Sequence, residues 1–338
     1  MTATISVLIC TAGRPGLLER AIESLLAGTR LPDQLVLVNG GGDEANEVVG
    51  RHAASFPEVV LLQYQNQNLA VSRNLGLPEC RGDIVAMTDD DAVVSPTWLE
   101  ALARVHMEEP RAGAVGGPAY GSPDGGFLSR IADQVVFPSF PARRTVRTLP
   151  GVNIAYKRQA ILAVGRFDES LFRGEDVDFN WRAIRHGYDI VYDPAIEVRH
   201  EHRSTVMGLL RQQWMYGRAY VLVRRKWRDM YCVYPYSLRS VRDWAKLAYC
   251  AAAVLLHPLA AATRMRNPVE AVAAYPLLVA HHLTWKTGML AQMIRPAPSS
   301  ASPSQRARAP EPPITLRRRW VCGQTCDAAG VSAEEAQV

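Results

Sequence analysis

Four short apolar runs, each followed by a stretch of helical period, occupy the first 110 residues. This alternation limits the possible folds more than any other feature. Residues 5–10, 35–38, 59–63 and 84–88 are rich in Val, Ile and Leu, with no alternation of polar and apolar positions. Strands of that kind are buried on both faces. Between them, residues 17–27 place Leu17, Leu18, Ala21, Ile22, Leu25 and Leu26 on one helical face, and residues 44–54 and 69–77 read as further helices. The pattern predicts an α/β fold, a mostly parallel sheet with helices on both faces. A chain of 338 residues holds one large domain with additions, or two domains.

The fourth run, Ile84-Val85-Ala86-Met87-Thr88, ends in Asp89-Asp90-Asp91. Three carboxylates at the mouth of a buried strand repel one another and attract a cation. Strand ends in α/β sheets are also where ligands bind, and a divalent metal between carboxylates and a diphosphate is a fitting occupant. Asp clusters build solvated turns and helix caps too. Here Ser95-Pro96 supplies a cap and first residue for a helix over 96–109, so the triplet is not needed for capping.

The net charge of +5 is unevenly spread: residues 199–246 hold eleven Lys and Arg against Glu201, Asp229 and Asp243. That excess implies an anionic partner, either substrate phosphates or an anionic membrane surface. No nucleic-acid motif accompanies it, and nucleic acid is not expected as a partner. Cys10 and Cys80 read as buried thiols, and Cys322 and Cys326 have no second ligand pair that would make a metal site. The cysteines suit a reducing compartment. No cationic segment precedes the first strand, so no signal peptide is expected.

Beyond residue 113 the regular alternation gives way to short strands (113–117, 153–157, 189–192), short helices (158–164, 176–186) and Gly/Pro-rich loops. Residues 121–150 are expected to be a loop near the site. Residues 206–226 interleave Trp214, Tyr216 and Tyr220 with Arg211, Arg218, Arg224 and Arg225. This reads either as a helix packed on the domain or as a surface for lipid headgroups or acceptor phosphate. Two apolar stretches, 247–263 and 269–283, are interrupted by His257-Pro258, Glu270, His281 and His282. They are expected to lie in the membrane interface or to pack on protein or on a second copy rather than to span. Residues 296–338 are expected to be a disordered tail.

Several ordered blocks resemble family 2 glycosyltransferases with the GT-A fold, over residues 3 to 205. They are Val7-Leu8-Ile9-Cys10-Thr11-x-x-Arg14-Pro15, Leu37-Val38-Asn39-Gly40-Gly41, Asn68-Leu69-Ala70-x-x-Arg73-Asn74-x-Gly76, Asp89-Asp90-Asp91, Gly151-x-Asn153, Gly165-x-Phe167-Asp168-Glu169, Gly174-Glu175-Asp176-x-Asp178, and Gly187-Tyr188 followed by Pro194 and His200. Each block alone is common; their shared order and spacing carry the resemblance. It implies a GT-A nucleotide-sugar domain over 1–205, a basic and apolar helical extension over 206–295 and the tail over 296–338.

The resemblance also implies roles. Asp89 and Asp91 would form the pair that holds Mn²⁺ or Mg²⁺, with Asp91 as the direct ligand and His200 closing the site, His202 being the alternative. Asp89 and Asp90 would face the donor, with Asp90 on its ribose or sugar. Thr11, Arg14, Asn39 and Arg73 match positions that touch base, ribose or diphosphate, and a guanidinium at Arg73 can grip phosphate bidentately. Asp176 is singled out as the base that takes the acceptor hydroxyl proton, while Glu175 and Asp178 could be partners of the helix dipole alone. The reaction implied is inverting, metal-dependent transfer of a sugar from a nucleotide diphosphate sugar, UDP-sugar favoured, to the free hydroxyl of a lipid-linked glycan or a secondary metabolite.

Two departures bear on the donor: Asn39 stands where many relatives carry Asp, and Ala12-Gly13 replaces a common Tyr-Asn pair. The run Arg143-Arg144-x-x-Arg147 reads as a solvated charge run or as a lid over the diphosphate. A cytoplasmic location, at the inner face of the plasma membrane, and a homodimer fit the extension. The alternative is a non-catalytic nucleotide-sugar binder or assembly subunit.

Overall fold

The computed structural model describes residues 3–230, 233–295 and 312–322. The expected alternation is present as β1 (Ile5–Thr11), α1 (Pro15–Leu26), β2 (Gln34–Asn39), α2 (Asp43–His52), β3 (Glu58–Tyr64), α3 (Leu69–Gly76) and β4 (Ile84–Asp89). β5 (Ala92–Val94), α4 (Trp98–Glu108), β6 (Ala112–Gly116), β7 (Ala119–Gly121), α5 (Phe127–Asp133) and β8 (Arg144–Val146) follow. Then come β9 (Ile154–Lys157), α6 (Arg158–Val164), α7 (Glu175–Arg185), β10 (Asp189–Tyr192) and β11 (Val198–His200). The chain continues through α8 (Val206–Lys226), α9 (Val241–Ala262), α10 (Pro268–Met293) and β12 (Ile314–Val321).

Among the described residues the main sheet runs β12-β3-β2-β1-β4-β9-β6-β10-β8. β3, β2, β1 and β4 are parallel neighbours, and β9 enters antiparallel between β4 and β6. Side chains of β1 alternate between two cores: Ile5, Val7 and Ile9 pack with Leu18, Ile22 and Leu25 of α1 and with α2 and α4. Leu8 packs with Val71 and Leu75 of α3 and Phe179 of α7 on the other face. Both faces being buried explains why the strands read as continuous apolar runs. The chain moves from β1 to β2 and β3 on one side and then crosses to β4 on the other. That reversal opens a crevice at the carboxyl ends of β1 and β4, where Cys10 pairs with Asp89 and Thr11 with Asn39.

Four expectations change. The helix expected from Pro96 starts at Trp98, and Thr97 rather than Ser95 is its cap residue, without a side-chain cap bond. The Ser95 N–H donates to Glu197 O at 3.1 Å, so Ser95 is held by the small sheet β5-β11-β7, which a local capping rule does not register. The loop expected over 121–150 contains α5 and the edge strand β8. The expected tail contains β12, antiparallel to β3; residues 296–311 and 323–338 lie outside the described residues. Leu316 and Trp320 pack on the core while Arg317 and Arg319 pair with Glu79 and Glu58, both at 2.8 Å. β12 thus covers a sheet edge, and its run of arginines hid the strand. Finally, Arg143 bonds Asp193 at 2.6 Å and pairs with Glu108 at 2.7 Å. It is therefore a structural clamp, not a lid.

The extension is bolted to the α/β layer. Asp178, fully buried, accepts from Trp227 Nε1 at 2.7 Å and from Arg182 Nε at 2.9 Å, and Lys226 Nζ lies 2.6 Å away. This fixes the end of α8 against α7. α10 then lies on α8 so closely that a Cβ at Gly217 would strike the Trp285 carbonyl, and one at Gly288 the Trp214 carbonyl. Asp178→Ala removes the acceptor shared by three part-buried donors, of which Lys226 and Arg182 keep other partners, and is expected to lower unfolding stability by about 1–3 kcal/mol, measured by denaturant titration.

Candidate active site

The acidic side chains of the site come from a strand end, a turn and a helix start. Asp89 ends β4, and Asp90 and Asp91 form the turn into β5. β5 pairs antiparallel with β11, opposing His200 to Ala92, and Glu201 N donates to Asp91 O at 2.8 Å. This short ladder carries His200 to Asp91, with Nε2 3.3 Å from Asp91 Oδ1. Ligand atoms of Asp89, Asp91 and His200 all lie within 4.8 Å of one another. Asp91 Oδ1 and His200 Nδ1 are buried with no hydrogen-bond partner. Two carboxylates and an imidazole with unused lone pairs fit a divalent cation such as Mn²⁺ or Mg²⁺. His202 does not take part: its Nε2 is 2.9 Å from Asp133 Oδ1.

Asp90 points inward. It is fully buried, accepts from Thr11 Oγ1 at 2.6 Å and pairs with Arg14, which also pairs with Asp91. Burial raises the Asp90 pKa to about 6 against the Thr11 bond and the Arg14 charge. Burial also works against the Asp91 carboxylate, but the adjacent His200 imidazole and then the Arg14 charge outweigh it and leave its pKa low. The His200 imidazole, pulled down by burial, ends above its ordinary value because Asp91 and Asp89 favour the cation.

Two residues expected at the donor are differently employed. Asn39 is fully buried; its Nδ2 donates to Gly42 O at 2.9 Å and Asn46 Oδ1 at 2.8 Å, and its Oδ1 accepts from Gly41 N at 2.7 Å. Its amide shapes the 40–46 turn and does not line the cavity at the Asp triplet. Arg73 does line it but is only 4 % exposed, 3.0 Å from Glu175 Oε1 and 3.6 Å from Asp89 Oδ1. Burial disfavours its charge, yet Glu175 and then Asp89 hold its pKa above the ordinary value. Arg73 is thus the internal counter-ion between two carboxylates. A Cβ at Gly151 would collide with its guanidinium, which is why glycine stands there.

Asp176 sits in the first turn of α7. Its Oδ2 accepts from Gly151 N at 3.0 Å and its Oδ1 from Val177 N at 2.7 Å. Two backbone donors orient the carboxylate. Asn153, which follows, donates to Pro118 O and Ile196 O and accepts from Trp98 Nε1. It locks the Gly151 loop to the small sheet.

A cavity of about 370 Å³ joins Thr11, Arg14, Arg73, Asp89, Asp90, Asp91, His200 and Asp176. Arg173, Arg203, Asn66 and Gln212 line it too, residues that no motif had singled out; the basic excess after residue 199 was the only signal for Arg203. A second cavity of about 420 Å³ lies alongside, and Phe137, Pro150, Gly174, Asp176 and Tyr216 line both.

Residues 3–217 match the profile described as Glycosyltransferase like family 2. The chain belongs to this family. The family 2 chain is 29% identical over 226 residues to a pre-mycofactocin glycosyltransferase of Mycobacterium tuberculosis, covering 63% of this chain and 46% of that protein. It is 32% identical over 184 residues to a glucosyl-dolichyl phosphate glucuronosyltransferase of Haloferax volcanii, covering 51% and 58%. It is 28% identical over 286 residues to the succinoglycan biosynthesis protein ExoM of Rhizobium meliloti, covering 80% and 90%. Thus it spans about half the length of the first two. Its fold is that of the mannosyltransferase PcManGT from Pyrobaculum calidifontis in complex with GDP-Man and Mn²⁺. The TM-score is 0.57 and the identity 19%, over 87% of this chain and 86% of that one.

A cation at Asp89, Asp91 and His200 must displace the His200 proton. Mn²⁺ affinity is therefore expected to fall as pH drops from about 8 to about 6, read by calorimetry. Without metal, the raised His200 pKa contributes stability that is complete below the ordinary imidazole value and lost as pH rises through the raised one. His200→Ala should weaken Mn²⁺ at least about tenfold.

Proposed function

We propose that this chain transfers a sugar from a nucleotide diphosphate sugar to an acceptor hydroxyl, with inversion at the anomeric carbon and dependence on a divalent metal. The observation that carries this reading is the position of Asp176, a fixed carboxylate at the junction of two cavities. The carboxylate-rich cavity suits the donor, and the other suits the acceptor. At that junction Asp176 can take the hydroxyl proton as the acceptor oxygen bonds the anomeric carbon and the bond to the diphosphate breaks. Attack from one cavity on a donor held in the other is a single displacement, which inverts.

Arg14, Arg173 and Arg203 line the donor cavity and would bind the diphosphate. Arg73 would keep Asp89 and Glu175 in place. A divalent cation at Asp89, Asp91 and His200 would supply positive charge to the departing diphosphate. The Mn²⁺ named with PcManGT supports a divalent cation. A non-catalytic binder would need no carboxylate at the junction.

Peripheral membrane contact is part of the same proposal. α9 is long and apolar enough to cross a membrane by length and composition. It exposes Trp244, Leu255, Leu256 and Leu259, with Arg264 and Arg266 following. The dolichyl phosphate in the name of the Haloferax relative supports an acceptor at a lipid surface.

Asp176→Asn is expected to keep nucleoside diphosphate binding while cutting turnover by about 10²- to 10⁴-fold. Near-normal turnover would remove Asp176 as the base. A thermal-shift panel of UDP, GDP, dTDP and CDP with and without Mn²⁺ is expected to single out UDP, and only with metal.

A further inference from the structure

The second cavity lies between the extension and the α/β domain, which contributes Phe137, Pro150 and Asp176. One face of α8 contributes Gln213, Tyr216, Tyr220 and Arg224, spaced three or four residues apart and so aligned in a stripe. α10 contributes His281, Trp285 and Lys286. The walls are otherwise largely apolar and aromatic, yet Gln213 Nε2, Arg224 Nη1 and both ring nitrogens of His281 are buried without a hydrogen-bond partner. Gln213 is 4 % exposed, His281 3 % and Lys286 5 %. Each orphaned polar group costs roughly 1–3 kcal/mol. Several on one cavity wall mark a surface prepared for a ligand that satisfies them rather than a packed interface.

The charge on this wall is one-sided. Arg224 stacks over the Tyr220 ring at 5.2 Å and Lys286 over the Tyr234 ring at 5.5 Å, and the two rings are 6.2 Å apart. Two cations therefore occupy neighbouring rings, and among the described residues the one carboxylate lining the cavity is Asp176, at the donor junction. Tyr216 belongs to both cavities. Arg224 is eight residues further along α8, roughly 12 Å at 1.5 Å per residue. Burial lowers the Lys286 pKa, a cost that an anionic ligand would offset.

We propose that this cavity is the acceptor site and that it selects an amphipathic phosphate ester. Its hydroxyl end meets Asp176, its body lies along Gln213, Tyr216 and His281, and its phosphate is held by Arg224 and Lys286 beside the aromatic wall. The word acceptor rests on the sugar-transfer reading; the binding preference does not.

The test is a titration of the full chain with decyl phosphate, decanol, glucose 1-phosphate and inorganic phosphate, followed by tryptophan fluorescence. Trp285 is the reporter, and Trp285→Phe should remove most of the signal. Decyl phosphate is expected to bind at least about tenfold more tightly than the other three. Arg224→Gln and Lys286→Met are each expected to weaken it about tenfold, the effect of one charge-assisted contact. Nucleoside diphosphate affinity with Mn²⁺ should stay unchanged, and Lys286→Arg should recover part of the loss. Equal binding of decanol would overturn the phosphate contact. Equal binding of inorganic phosphate or glucose 1-phosphate would overturn the apolar preference. Unweakened variants would overturn the residue assignment, and Lys286→Met provides that readout if Arg224→Gln does not fold. Absence of nucleotide binding in the unaltered chain would defeat the sugar-transfer reading while leaving the decyl phosphate result intact.

Discussion

Mutual repulsion among carboxylates at the carboxyl end of the parallel strands governs the arrangement around them. Asp89, Asp90, Asp91, Glu175 and Asp176 line one cavity, a density of like charge that an apolar sheet cannot hold alone. Each is answered by a specific partner. Arg73, buried, stands between Asp89 and Glu175, and Arg14 pairs with Asp90 and Asp91. Thr11 holds the inner oxygen of Asp90, and His200 faces Asp91. Asp176 is left with two backbone N–H donors and no cation within bonding distance among the described residues. That difference sets Asp176 apart from the four carboxylates held by cationic side chains.

The same constraint explains parts of the fold that touch no ligand. The small sheet β5-β11-β7 exists next to the Asp turn and fixes His200 by backbone pairing rather than by a flexible loop. Asn153 ties that sheet to the loop carrying Gly151, and Gly151 in turn touches Arg73 and orients Asp176. A disturbance at any of these joints would move a carboxylate relative to its partner. At these separations electrostatic energies change steeply with distance.

The helical extension is continuous with the site. Asp178 lies two residues from Asp176 and anchors Trp227 at the end of α8, so the helix bearing Tyr216 and Arg224 is referenced to the turn that bears Asp176. The close crossing at Gly217 and Gly288 then sets α10 against α8 and fixes the width of the second cavity. The two cavities therefore share one mechanical reference, the first turn of α7.

The sequence alone determined the parallel sheet, the place of the Asp triplet at a strand end and the placement of Asp176 at a helix start. Those features follow from local periodicity and burial, which neighbouring residues express. It did not show that Asn39 is spent on its own turn, or that Arg73 is buried against Glu175, 102 residues away. Nor did it show that the arginine-rich segment at Ile314–Val321 closes the edge of β3, or that α8 and α10 enclose a cavity. These were decided by contacts between segments far apart in the chain. Such contacts leave no local pattern, because an arginine in an ion pair and one in water occupy the same position in a sequence.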